Sequence, residues 1–207
     1  MRKLFVITFG WDERFALRFL FRREVEKDDK ILIITGKIDE KVKKGLDNLL
    51  RAIESLGKPE IKVIEAEKLS FFETIKKVKE EMNNVSKVQA SLSGGMRWIV
   101  VATFLALLLV REKVKEIEIQ KENLEGGYIL RGKFIRALAQ FFSLSSLEKE
   151  ILYKIYEGKT DIKLLSEALK KDKTTIRRHI QKLKDFLIIK KRKPLIIQPE
   201  EYLKVFL

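Results

Sequence analysis

Two short stretches of this sequence bring together residue types that hold anions. In SLSGGMRW, Ser91 to Trp98, two adjacent glycines stand directly before an arginine and a long apolar run. Glycines let a backbone turn sharply and let a ligand or another segment approach with no Cβ in the way. A helix opening at Gly95 or Met96 presents free backbone N–H groups and the positive end of its dipole, and Arg97 adds a fork of donors suited to phosphate. The other stretch is FGWDER, Phe9 to Arg14. The candidate ligand-binding residues are Thr8, Gly10, Trp11 and Asp12 at FGWDER, with Ser93, Gly94, Gly95, Met96 and Arg97 in SLSGGMRW. A tight turn packed against a neighbour would also account for the glycine pair, and Trp98 suits the core as well as it suits ligand stacking.

A third set of residues suits nucleic acid. Thr174, Thr175, Arg177, Arg178, Gln181 and Lys182 fall on one helical segment, and Lys191, Arg192 and Lys193 follow in KKRKP. These side chains reach phosphates and base edges. Other chemistries find less support. No G-x-G-x-x-G and no G-x-x-x-x-G-K-[ST] occurs, which disfavours dinucleotides and a Walker-type phosphate loop. The chain has no cysteine and one histidine, His179, so neither disulfides nor a His/Cys metal site is expected. His179 reads as a packed residue at the core edge, and no catalytic residue, metal or cofactor is assigned.

The elements that must position these residues follow from pattern. Short β-rich runs alternate with helical ones: KLFVITF, a helix from about Glu13, KILIIT, a helix from about Asp39, IKVIEA, a helix from about Phe71, VQASL, a helix over about Met96 to Arg111, and EIEIQ. That alternation predicts an α/β fold, a Rossmann-like open and mostly parallel sheet with helices on both faces. GGYIL adds a sixth strand of open direction. In such folds ligands bind beyond the carboxyl ends of the strands where strand order reverses, between the first strand and the fourth. Both unusual loops fall there.

After Gln140 the pattern changes. The boundaries read as 1–131 for the α/β domain, 132–144 for a linker helix and 145–207 for a small second domain. From Ser143 onward there are 16 Lys/Arg and 9 Asp/Glu, so half of the formal excess of +14 lies in under a third of the chain. The segment TDIKLLSEALKKDKTTIRRHIQKLKDF reads as helix, turn, helix, the first capped by Asp161 or Thr160 and the second by Asp172. On the second helix Ile176, Ile180, Leu183 and Leu187 form a buried stripe, opposite Thr174, Thr175, Arg178, Gln181 and Lys182. LIIKKRKPLIIQ then folds as a basic hairpin. A chain of 207 residues with a sequence pI near 9.8 suits a polyanionic partner. The apolar run Ile99 to Val110 falls short of the ~20 residues that span a bilayer, and the start reads as a strand, so a cytoplasmic location is expected. Abundant Lys and Glu with few Asn and Gln is similar to thermophile composition.

The C-terminal pattern resembles a winged helix-turn-helix domain. In order and length the whole chain resembles the CRISPR-associated transcriptional regulators of archaeal type that join a CARF domain to a winged helix-turn-helix. The most specific match is L-x-G-G-x-R at Leu92 to Arg97, and FGWDER resembles the first-strand motif, with Trp11 where phenylalanine is more usual. The resemblance implies a homodimer in antiviral defence. Its two CARF crevices would meet and bind cyclic oligoadenylate, tetra-adenylate first among them, while its winged domains bind promoter double-stranded DNA without a membrane. Two rivals stand beside this reading. One is a slow ring nuclease using Arg97, Ser93 and Asp12, for which no general base is evident; the other is a nucleic-acid or protein adaptor.

Overall fold

A computed structural model describes residues 2–55, 57–190 and 195–207. The chain divides into two compact units, Met1–Gly132 and Lys133–Leu207.

In the first unit the elements run β1 (Lys3–Phe9), α1 (Arg14–Phe21), β2 (Lys30–Thr35), α2 (Glu40–Glu54) and β3 (Glu60–Glu65), then α3 (Phe71–Glu81), β4 (Lys87–Ser91), α4 (Arg97–Leu109), β5 (Val114–Gln120) and β6 (Gly127–Arg131). They form one six-stranded sheet of order β3-β2-β1-β4-β5-β6. Strands β1 to β5 are parallel, and β6 returns antiparallel to β5. That settles the direction of GGYIL. The strand order reverses between β1 and β4, and the register there pairs Ile7 with Ser91 and Phe9 with Thr35, so the carboxyl ends of β4, β1 and β2 finish side by side.

The near-continuous apolar runs of β1 and β2 are those of strands covered on both faces. Phe5, Ile7, Phe9, Ile31 and Ile33 pack against Ala16, Phe19 and Leu20 of α1 and Leu46, Leu49 and Ile53 of α2. Right-handed crossovers put α3 and α4 on the other face. Helix starts are fixed by short polar side chains. Asp39 accepts from the Val42 amide at 2.9 Å, and Ser70 with Glu73 makes a reciprocal capping box at α3. Helices α1 and α4 differ: their N-caps are Glu13 and Met96, and no side chain caps either. No helix among the described residues is long and apolar enough to cross a membrane.

The second unit contains most of α5 (Gly132–Phe141), then α6 (Ser146–Tyr156), α7 (Ile162–Leu169), α8 (Lys173–Lys182) and the hairpin strands β7 (Leu187–Lys190) and β8 (Ile196–Pro199). Ala137 of α5, Ile151 and Ile155 of α6, Leu165 of α7, Ile176 and Ile180 of α8 and Ile197 of β8 share one buried core. Of the two caps open for α7 it is Asp161 that accepts from Lys163 and Leu164, while the Thr160 carbonyl receives the Ile197 amide. Lys170 takes φ 51°, the left-handed turn that breaks α7 away from α8.

One expectation needs correction. The stripe Ile176, Ile180, Leu183 and Leu187 is buried throughout, but α8 ends at Lys182, Leu183 is its C-cap, and Leu187 belongs to β7. The chain leaves the helix where Asp185 turns inward to take two hydrogen bonds from Arg136, at 2.9 and 3.1 Å. The expected wing-tip residues Lys191, Arg192 and Lys193 lie outside the described residues.

Candidate functional site

A crevice of about 770 Å³ opens at the carboxyl ends of β1, β2 and β4. Of the residues expected there, Gly10, Trp11, Asp12, Ser93, Gly94, Gly95 and Met96 line it. Two do not. Thr8 is buried, its hydroxyl directed at the Ser91 carbonyl at 3.4 Å, because its side chain falls within the strand and not in the loop. Arg97 is exposed at the first turn of α4 and stands outside the crevice wall. Trp98 is half-buried and also outside it.

The two loops interlock through their glycines. A Cβ on Gly94 would stand 3.0 Å from the Thr8 carbonyl oxygen, and one on Gly95 would stand 3.1 Å from that of Phe9. Gly95 also holds φ at 86°, a conformation glycine adopts freely. Close packing of loop on loop is therefore one reason for the pair. The other is what it leaves open. The unsatisfied amides at the start of α4 face no acidic residue in the first turn and no capping side chain, the arrangement that favours an anion.

Ser93 is tied down. Its hydroxyl accepts from the Gln120 amide at 2.9 Å and lies 3.0 Å from that of Ser91. Asp12 is likewise engaged: Arg14 grips it with Nε at 2.9 Å and Nη2 at 2.7 Å. The Arg14 guanidinium holds the Asp12 carboxyl below the usual carboxylate range, against a smaller opposing effect of burial. Trp11 is 54% exposed, with the Lys41 ammonium 3.7 Å from its ring centroid.

The crevice reaches further than the two loops. Thr35, Gly36 and Lys37 after β2, Asp39 and Val42 at the start of α2, and Glu67 beyond β3 form a second part of its wall. Arg14 and Phe15 of α1 and Glu122 after β5 also line it. Sequence reasoning missed these residues because the switch-point rule directs attention to β1 and β4 only. The available signal was Thr35-Gly36 at the end of β2, one strand over. Gly36 leaves room for Met96, whose sulfur would stand 3.1 Å from a Cβ at that position. Asp39, Glu67 and Glu122 bring carboxylates to this wall beside the cations of Arg14 and Lys37, so its charge is mixed.

In the second unit, α8 buries Ile176 and Ile180 and exposes Thr174, Arg177, Arg178, Gln181 and Lys182, with Thr175 half-buried. Among the described residues the guanidiniums of Arg177 and Arg178 have no protein partner. Asp172 caps the helix through the Thr175 amide at 2.8 Å. His179 sits at the core edge with Nδ1 3.1 Å from Glu148 Oε1, a partner that helix spacing alone could not reveal. No cluster of three or more metal-ligating side chains occurs among the described residues.

Comparison with known proteins bears on this arrangement. Residues 3–131 match the family model described as the Csa3 CRISPR-associated Rossmann-like domain. A curated relative from Saccharolobus solfataricus, "CRISPR locus-related putative DNA-binding protein Csa3", is 26% identical over 192 residues, which are 90% of this chain and 79% of that protein. Among solved structures, Can2 from Sulfobacillus thermosulfidooxidans in complex with cyclic tetra-adenylate aligns at 10% identity and TM-score 0.43 over 99% of this chain and 63% of its own. Csm6 of Enterococcus italicus bound to cyclic hexa-2′-fluoro-hexa-dAMP aligns at 11% identity and TM-score 0.43 over 89% and 55%. This chain thus spans less than two thirds of either solved structure. With the sheet order and the family match both on residues of the first unit, the chain belongs to the Csa3 CRISPR-associated Rossmann-like domain family.

Proposed function

We propose that this protein is a ligand-gated, DNA-binding transcriptional regulator of CRISPR-associated genes, with the first unit sensing cyclic oligoadenylate and the second, a winged helix-turn-helix, holding DNA. The observation that carries the reading is the combination, in one chain of this family, of an uncapped α4 N-terminus at the switch-point crevice with a basic outer face on α8, where Arg177 and Arg178 have no partner among the described residues. An anionic ring suits the first and a duplex the second. The ring is cyclic tetra-adenylate, held between two copies of the chain, since a fourfold repeat offers the same half to each of two identical crevices. Val101, Leu105 and Leu109 lie one turn apart on the exposed side of α4 and give this assembly an apolar seam.

A ring-cleaving activity has weaker support. Arg14 keeps the Asp12 carboxylate in its weakly basic form, and Ser93 is occupied by Ser91 and Gln120. Electrophoretic shift of the protein's own promoter, with and without cyclic tetra-adenylate, tests the regulator. A shift that responds to the ring supports it; no shift under either condition gives the place to an adaptor, and loss of the ring over time gives it to a nuclease.

A further inference from the structure

Helices α3 and α6 begin with the same local device in different surroundings. Ser70 with Glu73, and Ser145 with Glu148, each form a reciprocal capping box. Capping engages one carboxylate oxygen, and Glu73 is otherwise exposed. Glu148 is not. It is 7% exposed, with Oε2 2.9 Å from the Ser145 amide and Oε1 turned to α8, where it lies 3.1 Å from His179 Nδ1 and 3.8 Å from Lys182 Nζ. A cap works as well in solvent, and taking a carboxylate out of water is costly, so the burial of Glu148 serves something besides the end of α6.

The packing of α8 shows what that is. Ile176 and Ile180, with the C-cap Leu183, hold α8 to the core through apolar contacts, which are non-directional and tolerate a small rotation about the helix axis. A hydrogen bond is directional. Among the described residues Glu148 is the only residue of another helix that bonds to side chains of α8, since Gln140 of α5 reaches only the Lys182 carbonyl, at 3.1 Å. His179 flanks the apolar stripe, Lys182 lies about 60° further round the same side, and Arg178 about 40° beyond Lys182. A rotation of about 20° would carry a side chain at a radius of ~6 Å through about 2 Å, more than a hydrogen bond to a base edge tolerates.

We propose that Glu148 is a positioning residue for sequence reading: by holding His179 and Lys182 it sets the rotation of α8 about its axis and so aims Arg178 and Gln181 at base edges. The proposal rests on the reading of α8 as the helix that lies in the major groove, and extends it from the residues that touch DNA to the residue that orients them. Phosphate contacts made by long, flexible cations do not depend on that rotation. Loss of Glu148 therefore costs discrimination and spares sequence-independent affinity.

The test uses the full chain. Glu148→Gln keeps a side chain able to cap α6 but turns an amide N–H group toward α8, and His179→Phe removes the other partner while keeping a ring. Ile151→Val, in the same core, is the control for lost stability alone. Fluorescence anisotropy with a duplex from the protein's own promoter and with a scrambled duplex of equal length, cyclic tetra-adenylate absent and present, is paired with thermal melting. Wild type is expected to prefer the promoter by about a hundredfold or more. Both variants should bind the promoter about tenfold more weakly, bind the scrambled duplex as tightly as wild type or more so, and keep the salt slope. The double variant should lose no more than either alone. Ile151→Val should melt lower and keep the whole preference. Full preference retained in both variants, or promoter and scrambled affinities that fall together, overturns the role of Glu148 while leaving α8 on DNA. A wild type that binds neither duplex, or both equally, overturns the DNA-reading role of α8 itself, and the positioning role with it.

Discussion

Gly10 and Gly95 meet so closely that a Cβ on Gly10 would stand 3.1 Å from the Gly95 nitrogen. The two loops of the crevice are thus held backbone to backbone, and the glycines serve the fold before they serve any ligand. Gly95→Ala puts a side chain at φ 86° and within 3.1 Å of the Phe9 carbonyl oxygen. Gly126, at φ 83° with nothing within 4 Å, provides the control. Both alanines incur the left-handed penalty of about 1–2 kcal/mol, but only Gly95→Ala adds a clash, so it should melt lower than Gly126→Ala. Equal melting temperatures would show that the loops yield, and that the pair is there for the ligand alone.

Much of this was legible in the sequence. The strands β1 and β2 are apolar runs bounded by turn residues, and the helix starts at Asp39, Ser70 and Asp161 carry side chains that cap. What stayed hidden depends on contacts between distant segments. Periodicity carries Leu187 on from Leu183, yet Asp185 leaves the helix for Arg136, a partner 49 residues away. Thr8 shares a loop's neighbourhood in sequence but faces Ser91 within the sheet. The β2 part of the crevice needed the register of Phe9 with Thr35, which no spacing along the chain provides.

Arg97 separates ligand binding from stability. Exposed and outside the crevice wall, it has no packing role for alanine to disturb. If it reaches phosphate, Arg97→Ala should lose about 1.5–3 kcal/mol of affinity for cyclic tetra-adenylate, the value of a hydrogen bond to a charged group, with an unchanged melting temperature. Calorimetry that found the same affinity would place the phosphates elsewhere.

The proposed dimer turns on α4. Leu105 is 37% exposed and Leu109 57% exposed on a helix with no charged residue after Arg97. Such a stripe is expected to be covered by its symmetry mate. Leu105→Glu should convert a dimer to a monomer in light scattering and abolish ring binding together with it. A wild-type chain that scatters as 24.3 kDa with ring present would remove the shared site.

Glu148 carries a pH dependence with a definite sign. Burial alone would raise its carboxyl, but the Ser145 amide, His179 and Lys182 outweigh burial and leave it below the usual glutamate range. A depressed carboxyl stabilises the folded state above its unfolded pKa of about 4.3 and loses that effect as pH falls through the folded value. Glu148→Gln keeps a capping side chain but not the charge. It should therefore melt below wild type at neutral pH, and the gap should narrow only when the pH falls under about 4.3. A gap that persists unchanged to lower pH would mean that shape and not charge holds α6 to α8.

The two kinds of basic residue in the second unit should fail differently on DNA. Arg178 projects from the face of α8 opposite Ile176 and Ile180, where a helix laid in the major groove meets base edges, whereas Lys190 is exposed at the end of β7, suited to the phosphate backbone. A base contact carries discrimination; a phosphate contact carries counterion release. Arg178→Ala should thus cost roughly 1–3 kcal/mol on the specific site and flatten preference between sequences, while Lys190→Ala should weaken all sequences about equally and lower the salt slope by about one. A twofold dimer further requires a palindrome-like site with half-sites about one helical turn, or a multiple of it, apart. Electrophoretic shifts on the protein's own promoter at several salt concentrations distinguish the two losses. If neither substitution changed binding, the exposed face of α8 would be a solvated or protein-contacting surface, and the adaptor would replace the regulator.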